Sequence, residues 1–128
     1  MAHLLLVDDD PILLRVLQFW LQEAGYTVTT HPLGEEALAD VAATAYDLII
    51  LDRMLPDIDG LELCRQIRQT TPTPILLLSA VASATHQAAA LAAGADGCLR
   101  KPVDPDTLLA QVAALVARGR SGGAASDR

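Results

Sequence analysis

The 128-residue sequence predicts a doubly wound α/β domain, with helices on both faces of a parallel sheet. Three observations predict this fold class. Short apolar runs recur along the chain, amphipathic segments of helical period lie between them, and the two patterns alternate five times. Because parallel strands need helical crossovers of one hand, the alternation indicates a single sheet that helices cover on both sides.

The central strands are predicted by three runs of aliphatic residues, at 4–7, 48–51 and 75–78. Runs that are apolar on both sides of the pleat are typical of strands buried on both faces. Residues 26–30 are rich in β-branched side chains but more polar, which indicates an edge strand. Residues 97–100 give a weaker signal for a fifth strand.

The first helix is predicted from Pro11 to Ala24, because apolar residues recur through it at i, i+4 spacing. Asp10 can cap this helix, Pro11 suits its first position, and Gly25 follows its end. The other predicted helices span residues 34–44, 60–70, 83–93 and 104–117.

Residues 119–128 differ from the rest of the chain, since they lack apolar periodicity and are rich in Gly and Ser. We therefore expect one domain over residues 1–118, followed by a flexible tail or the start of a linker. The sequence leaves open whether the natural protein stands alone or continues into an output domain.

The composition excludes several classes of protein. The net charge of −7 gives an acidic surface that repels phosphate backbones, so we do not expect direct nucleic-acid binding. The N-terminus has too short an apolar run for a signal peptide, and no run approaches the roughly 20 residues that span a bilayer. Cys64 and Cys98 have no metal-binding spacing and fit buried thiols in a reducing compartment. We expect a soluble cytoplasmic protein.

Polar side chains follow the predicted strands at their carboxyl ends. Asp8 and Asp9 follow the first strand, Asp52 the third, Ser79 the fourth and Lys101 the fifth. Ligands of open parallel sheets bind beyond these strand ends. We therefore expect the five side chains to share one rim of the sheet.

Carboxylates gathered at one rim repel each other, so the cluster needs a cation or a proton. Oxygen ligands without His or Cys favour Mg²⁺, Mn²⁺ or Ca²⁺ over zinc. Mg²⁺ keeps positions open for water and phosphate oxygens, as phosphoryl transfer requires. Lys101, the only lysine in the chain, can pair with Asp52 and later bind a phosphoryl oxygen. Its bond to Pro102 is a candidate cis peptide.

A family resemblance is carried by five segments in order. They are LLVDDDP at 5–11, DLIILDRMLP at 47–56 followed by DG at 59–60, LSA at 78–80, AGAD at 93–96 and KP at 101–102. With these segments, residues 3–118 resemble the receiver domain of two-component response regulators, of which the chemotaxis protein CheY is typical. The resemblance implies a flavodoxin-like fold with five strands in the order 2-1-3-4-5 and five helices.

The resemblance also implies roles in a metal site. Asp52 matches the aspartate that accepts a phosphoryl group. Asp9 matches a direct ligand of Mg²⁺, which Mn²⁺ can replace, and Asp8 matches an acid that holds the ion largely through water. Met54 matches the residue whose backbone carbonyl completes the site, with Asp52 as a further ligand.

Further roles come from the same resemblance. Ser79 matches the switch hydroxyl and Lys101 the conserved lysine. The phosphoryl donor would be a histidine kinase or a histidine phosphotransfer protein. The domain would not be an enzyme with a separate substrate, since it would catalyse only its own phosphorylation and slow dephosphorylation. An output domain or partner would respond to the change, and a homodimer could form through the face between the fourth and fifth helices.

Three features are unusual for the family. Cys98 stands where an aromatic residue is usual, and the fourth helix is rich in alanine. We therefore expect displacement of this lightly anchored helix, and not rotation of an aromatic ring, to carry the signal. For the dimer, Gln111 and Leu115 stand in the last helix where related receivers place charged partners.

Other polar residues receive structural interpretations. Asp57 and Asp59 are interpreted as turn-forming residues before Gly60. His31 and His86 are interpreted as surface residues.

Two other functions fit the sequence less well. A phosphohydrolase with an aspartyl-phosphate intermediate would need an acid two residues beyond Asp52, and that residue is Met54. A flavodoxin-like cofactor module would need a phosphate-binding first loop, and three successive aspartates at 8–10 repel that anion.

Overall fold

The computed structural model describes residues 2–81 and 83–126 and contains a five-stranded parallel sheet in that part of the chain. The strand order is β2-β1-β3-β4-β5, which confirms the predicted fold class and topology. The strands are β1 His3–Val7, β2 Thr27–His31, β3 Leu48–Asp52, β4 Ile75–Ser79 and β5 Gly97–Arg100.

A helix follows each strand. The helices are α1 Pro11–Glu23, α2 Gly34–Ala43, α3 Gly60–Thr70, α4 Ala84–Ala92 and α5 Pro105–Ser126. Asp10 caps α1 as predicted, because its Oδ1 accepts the N–H groups of Ile12 and Leu13.

The last helix is longer than predicted, since it continues past residue 117 to Ser126. Leu115 and Val116 are buried in its preceding turn, and a helix that is already formed adds one hydrogen bond for each further residue. The helix therefore continues into a stretch whose composition alone predicted a flexible tail. The boundary at residue 118 stays a prediction, and residues 127–128 lie outside the described part.

The sheet has a separate apolar cluster on each face. Leu5 and Val7 point to the face covered by α2, α3 and α4, whereas Leu4 and Leu6 point to the face covered by α1 and α5. Consecutive residues of a strand point to opposite sides, so each aliphatic run fills both clusters. In residues 2–81 and 83–126, every helix is too short or too polar to cross a lipid bilayer.

The register of the strands determines which residues meet at the carboxyl rim. Val7 pairs with Leu51 and Asp52 pairs with Leu78, so the first residue beyond β1 lies beside the last residue of β3. Ser79 pairs with Arg100, which brings Lys101 to the same edge. The carboxyl ends of β1, β3, β4 and β5 thus meet at one rim of the sheet.

Candidate functional site

Two carboxylates and a hydroxyl are buried at this rim. Asp8 has no exposed surface, Asp52 is 4% exposed and Ser79 is 3% exposed. A buried carboxylate is costly unless it is paired with positive charge and hydrogen-bonded. The site therefore depends on the groups that face these two acids.

Lys101 supplies positive charge to both carboxylates. Its Nζ lies 3.0 Å from Oδ2 of Asp8 and 3.1 Å from Oδ2 of Asp52. Its backbone N–H donates to the carbonyl of Ser79 at 2.8 Å, and the Lys101–Pro102 peptide is cis, as the sequence predicted. Burial lowers the pKa of the Lys101 ammonium, but the hydrogen bonds that it donates to Asp8 and Asp52, together with their negative charges, outweigh burial and leave that pKa raised.

Asp52 has a raised pKa. Burial of the carboxyl is the main cause, and the nearby charge of Asp8 adds to it. The backbone N–H of Met54 and the ammonium of Lys101 lower the pKa without cancelling the rise. A cation that neutralised Asp8 would therefore favour the ionised form of Asp52.

Asp9 completes a group of carboxylates with the geometry of a cation site. Ligand oxygens from Asp8, Asp9 and Asp52 lie within 4.8 Å of one another, and Asp9 is exposed to solvent. The Asp8 carboxylate is oriented by a hydrogen bond, because its Oδ1 accepts the N–H of Asp10 at 2.9 Å. Three hard oxygen donors with one open side fit a hydrated Mg²⁺ or Mn²⁺ ion.

The loop after β3 is tied closely to Asp52. The N–H of Met54 donates to Oδ1 of Asp52 at 3.2 Å, and the N–H of Gly60 donates to the carbonyl of Arg53 at 2.8 Å. Met54 also forms an antiparallel bridge with Asp59. A Cβ atom at Gly60 would lie 2.6 Å from the Asp52 carbonyl oxygen, so only glycine lets α3 begin this close to the strand.

Ser79 is directed toward the loop that leads into α4. Its hydroxyl donates to the carbonyl of Val81 at 2.8 Å and accepts the N–H of the same residue at 3.2 Å. The hydroxyl thus holds the first turn of that loop and lies on the strand next to Asp52. Rotation about one side-chain bond could exchange these bonds for a new acceptor at the rim.

The structure also assigns roles that the sequence did not. Asp59 caps α3, in agreement with its interpretation as a turn residue, but Asp57 contacts the first turn of α2. His31 and His86, interpreted as surface residues, are both partly exposed. Nε2 of His31 lies 2.8 Å from Oδ2 of Asp40, a contact that a single sequence cannot reveal.

Comparison with known proteins identifies the family. The family described as response regulator receiver domain matches residues 4–113 of the chain. The chain belongs to the response-regulator receiver family. Within that family, this receiver domain is 42% identical to the response regulator ArlR of Staphylococcus epidermidis over 118 residues. The match covers 92% of this chain and 54% of ArlR, so the chain spans about half the length of this relative.

Solved structures agree with the family. The receiver domain resembles a two-component response regulator from Clostridium difficile, with 32% identity and a TM-score of 0.88, over 92% of this chain and 98% of that one. It also resembles the response regulator DrrB, an OmpR/PhoB homologue from Thermotoga maritima, with 37% identity and a TM-score of 0.84. That match covers 92% of this chain and 54% of DrrB. The receiver domain is therefore a regulatory module of two-component signalling.

Proposed function

We propose that this receiver domain accepts a phosphoryl group on Asp52, with Mg²⁺ held by Asp8, Asp9, Asp52 and the backbone carbonyl of Met54. The observation that carries the proposal is the environment of Asp52. It is a buried carboxylate held by one ammonium and placed beside two further acids at the end of a central strand. Mn²⁺ has the same ligand preference and can replace Mg²⁺.

The residues of the rim fit the metal. Asp8, Asp9 and Asp52 offer oxygen donors within 4.8 Å of one another, and Asp9 is open to solvent, where the phosphoryl donor must approach. When bound, the ion neutralises charge on the phosphoryl oxygens and orients them for transfer. The carboxylates of this chain thereby hold the ion beside the acceptor without a His or Cys ligand.

Transfer to Asp52 needs an ionised carboxylate. An oxygen of Asp52 attacks phosphorus, the bond from phosphorus to the donor's histidine nitrogen breaks, and that nitrogen keeps the electron pair. The N–H of Met54 and the ammonium of Lys101 fix the two Asp52 oxygens before the attack. Such orientation lowers the entropic part of the barrier.

Phosphorylation would change the partners of two side chains. The ammonium of Lys101, now shared by Asp8 and Asp52, gains phosphoryl oxygens as acceptors. The Ser79 hydroxyl can leave Val81 for the same oxygens, which would pull on the loop that leads to α4. These two changes would convert local charge into a shift of the α4 region.

The donor is a histidine kinase or a histidine phosphotransfer protein. Ile12, Val16 and Phe19 lie at i, i+4 and i+7 on α1, and they are 74%, 36% and 59% exposed. The helix begins directly after the aspartates of the rim, so this apolar stripe starts at the rim that holds Asp52. A helix of the donor can pack on it while its histidine reaches Asp52.

The response is read outside the site. We infer an output domain or separate partner that senses the α4 and α5 region, with residues 1–118 as the receiver and the following residues as its connection. A homodimer through the α4–α5 face belongs to the same proposal. The site of action is the cytoplasm, where the chain neither binds nucleic acid directly nor enters a membrane.

The test uses acetyl phosphate and Mg²⁺ with the purified domain. One hydroxylamine-sensitive phosphoryl group should appear per chain, and peptide mapping should place it on Asp52. Asp52→Asn should abolish it, and Asp9→Asn should lower the rate at least about tenfold, as expected for loss of a metal ligand. Asp106→Asn, an exposed acid in the first turn of α5, is the matched control and should behave as the parent. Full phosphorylation of Asp52→Asn would contradict the assignment.

A further inference from the structure

The first turn of α2 is capped from a distant part of the chain. Leu33 occupies the capping position and has an aliphatic side chain that cannot accept a hydrogen bond. Instead, Oδ1 of Asp57 accepts the N–H of Gly34 at 3.0 Å, and Oδ2 accepts the N–H of Glu35 at 2.9 Å. One carboxylate thus satisfies two N–H groups that the helix itself leaves unpaired.

The backbone approaches closely at this contact. A Cβ atom at Gly34 would collide with the side chain of Ile58, so glycine is required where the loop meets the helix. Leu55 and Ile58, on either side of Asp57, pack against the apolar cluster under α2 and α3. We call the contact of Asp57 with Gly34 and Glu35 the clasp.

The charge of Asp57 suits this position. Slight burial raises the pKa of its carboxyl, but the N–H groups of Glu35 and Gly34 outweigh burial and hold the pKa below its usual value. The partial positive charge at the start of α2 favours an anion there. Because Asp57 is exposed, solvent screens this attraction and its contribution to overall stability is small. The clasp therefore matters more for position than for stability.

The clasp lies in the loop that carries Met54. One end of this loop is fixed to Asp52 by the N–H of Met54, and the other is fixed by the Met54–Asp59 bridge and the start of α3. Asp57 fixes the middle. Mg²⁺ demands nearly ideal octahedral geometry at short distances, so a small drift of the Met54 carbonyl would weaken binding.

We propose that Asp57 is a positioning residue for the metal site, because it holds the Met54 loop against the first turn of α2 and couples that turn to metal binding. The inference rests on the proposed function, in which the Met54 carbonyl is a metal ligand. Such coupling is reciprocal. If the clasp raises the affinity for the metal by a given factor, bound metal stabilises the clasp by the same factor.

The experiment is a titration of the ¹⁵N-labelled domain with Mg²⁺ alone, followed through the backbone amides of residues 8–10 and 52–54. Asp57→Ala should raise the Kd for Mg²⁺ by about tenfold, the lower end of the effect of groups that orient metal ligands. The Kd of Asp57→Asn, which keeps one acceptor oxygen, should lie between those of the parent and Asp57→Ala. In the parent, Mg²⁺ should slow amide exchange at Gly34 and Glu35 by the same factor.

Asp104→Ala is the matched control. Asp104 caps α5 in the same way, through the N–H of Thr107 at 2.9 Å, but its loop carries none of the proposed metal ligands. The Kd of Asp104→Ala for Mg²⁺ should stay within about twofold of that of the parent. If Asp57→Ala does not fold, Gly34→Ala opens the clasp from the other side and should weaken Mg²⁺ binding to a similar degree.

The outcomes separate the two claims. A parent whose amides around Asp9 and Asp52 do not respond to Mg²⁺ would overturn the metal site and the inference with it. A parent that binds Mg²⁺, together with Asp57 variants that bind it equally well, would overturn the inference alone. Equal weakening by Asp104→Ala would assign the effect to general loss of stability and would also overturn the inference.

Discussion

Helices α3 and α4 lie on the same face of the sheet, and each follows a strand that ends in a site residue, yet they are held very differently. α3 buries five residues: Gly60, Leu61, Leu63, Cys64 and Ile67. Among the nine described residues of α4, only Ala90 is buried. Burial of aliphatic side chains contributes about 1.5–3 kcal/mol each, so α3 is much more firmly attached. We therefore expect the Asp52 side of the site to be the more rigid and the Ser79 side to move more easily.

The two ends of α4 also differ. At its C-terminal end, the guanidinium of Arg68 donates to the carbonyl of Gly94 and forms an ion pair with Asp96 at 3.0 Å. Asp96 also pairs with Arg118 of α5. At the N-terminal end, the cap is Ser83, an exposed residue. We therefore expect α4 to move about its C-terminal end, with the largest displacement in its first turn.

The largest expected effect is on stability. Ile67→Ala should lower the free energy of unfolding by about 2–5 kcal/mol, because it leaves a cavity in a packed cluster. Leu91→Ala, in an α4 position that is 61% exposed, should change it by no more than about 0.5 kcal/mol. Urea denaturation measures both. Comparable losses would mean that α4 is anchored as firmly as α3.

A smaller effect is expected on the lifetime of the phosphoryl group. Met54, on the loop before α3, and Val81, on the loop before α4, are 72% and 49% exposed and cannot orient an attacking water. Self-dephosphorylation should be slow in the parent and about tenfold faster in the double variant Met54→Asn, Val81→Glu.

The single variants sharpen the comparison. Met54 lies on a loop that is hydrogen-bonded to Asp52, whereas Val81 precedes the lightly buried α4, and a side chain orients water only when it is itself held. Met54→Asn should therefore act more strongly than Val81→Glu. Loss of ³²P from the phosphorylated domain measures each rate, and a double variant as long-lived as the parent would exclude water positioning as the determinant.

The smallest effect is expected on amide exchange, which reports local unfolding of the helices. It would be measured when beryllofluoride, an inert mimic of the phosphoryl group, is bound with Mg²⁺. Amide exchange should change by about three- to tenfold between residues 83 and 95 and by less than about twofold in α3, since local stability follows burial. Hydrogen-exchange mass spectrometry measures both helices in one sample. Changes confined to the Asp52 loop, with α4 unaffected, would leave α4 without a role in the signal.

The sequence predicted the sheet well because each central strand is an aliphatic run bounded by polar residues. Val7 to Asp8 and Leu51 to Asp52 are such boundaries, and parallel topology alone brings their ends together. The cis bond before Pro102 was predicted because few other bonds accept that isomer. The sequence alone thus predicts that the site residues share one rim, whereas their chemical roles stay predictions for the experiments above.

The remaining features depend on contacts between distant residues. Asp57 reads as an ordinary turn residue, and the signal for its contact is indirect: Leu33 precedes α2 where a capping side chain is usual. The pairing of Asp96, in the loop before β5, with Arg118 of α5 likewise joins two parts of the fold that no local pattern connects. Helix α5 exceeded its predicted end because packing at Leu115 overrides the weak helix propensity of glycine and serine.

A consequence follows for the covalent chemistry of this domain. Apart from the α-amino group, Lys101 carries the only aliphatic amine in the sequence, and that amine lies between two carboxylates. Its raised pKa keeps it protonated and therefore slow to react with acylating reagents. Any acylation of a lysine in this chain would remove the charge that balances Asp8 and Asp52. Among the side chains, amine-directed labels thus report on Lys101 alone, and metal binding or phosphorylation should alter its reactivity.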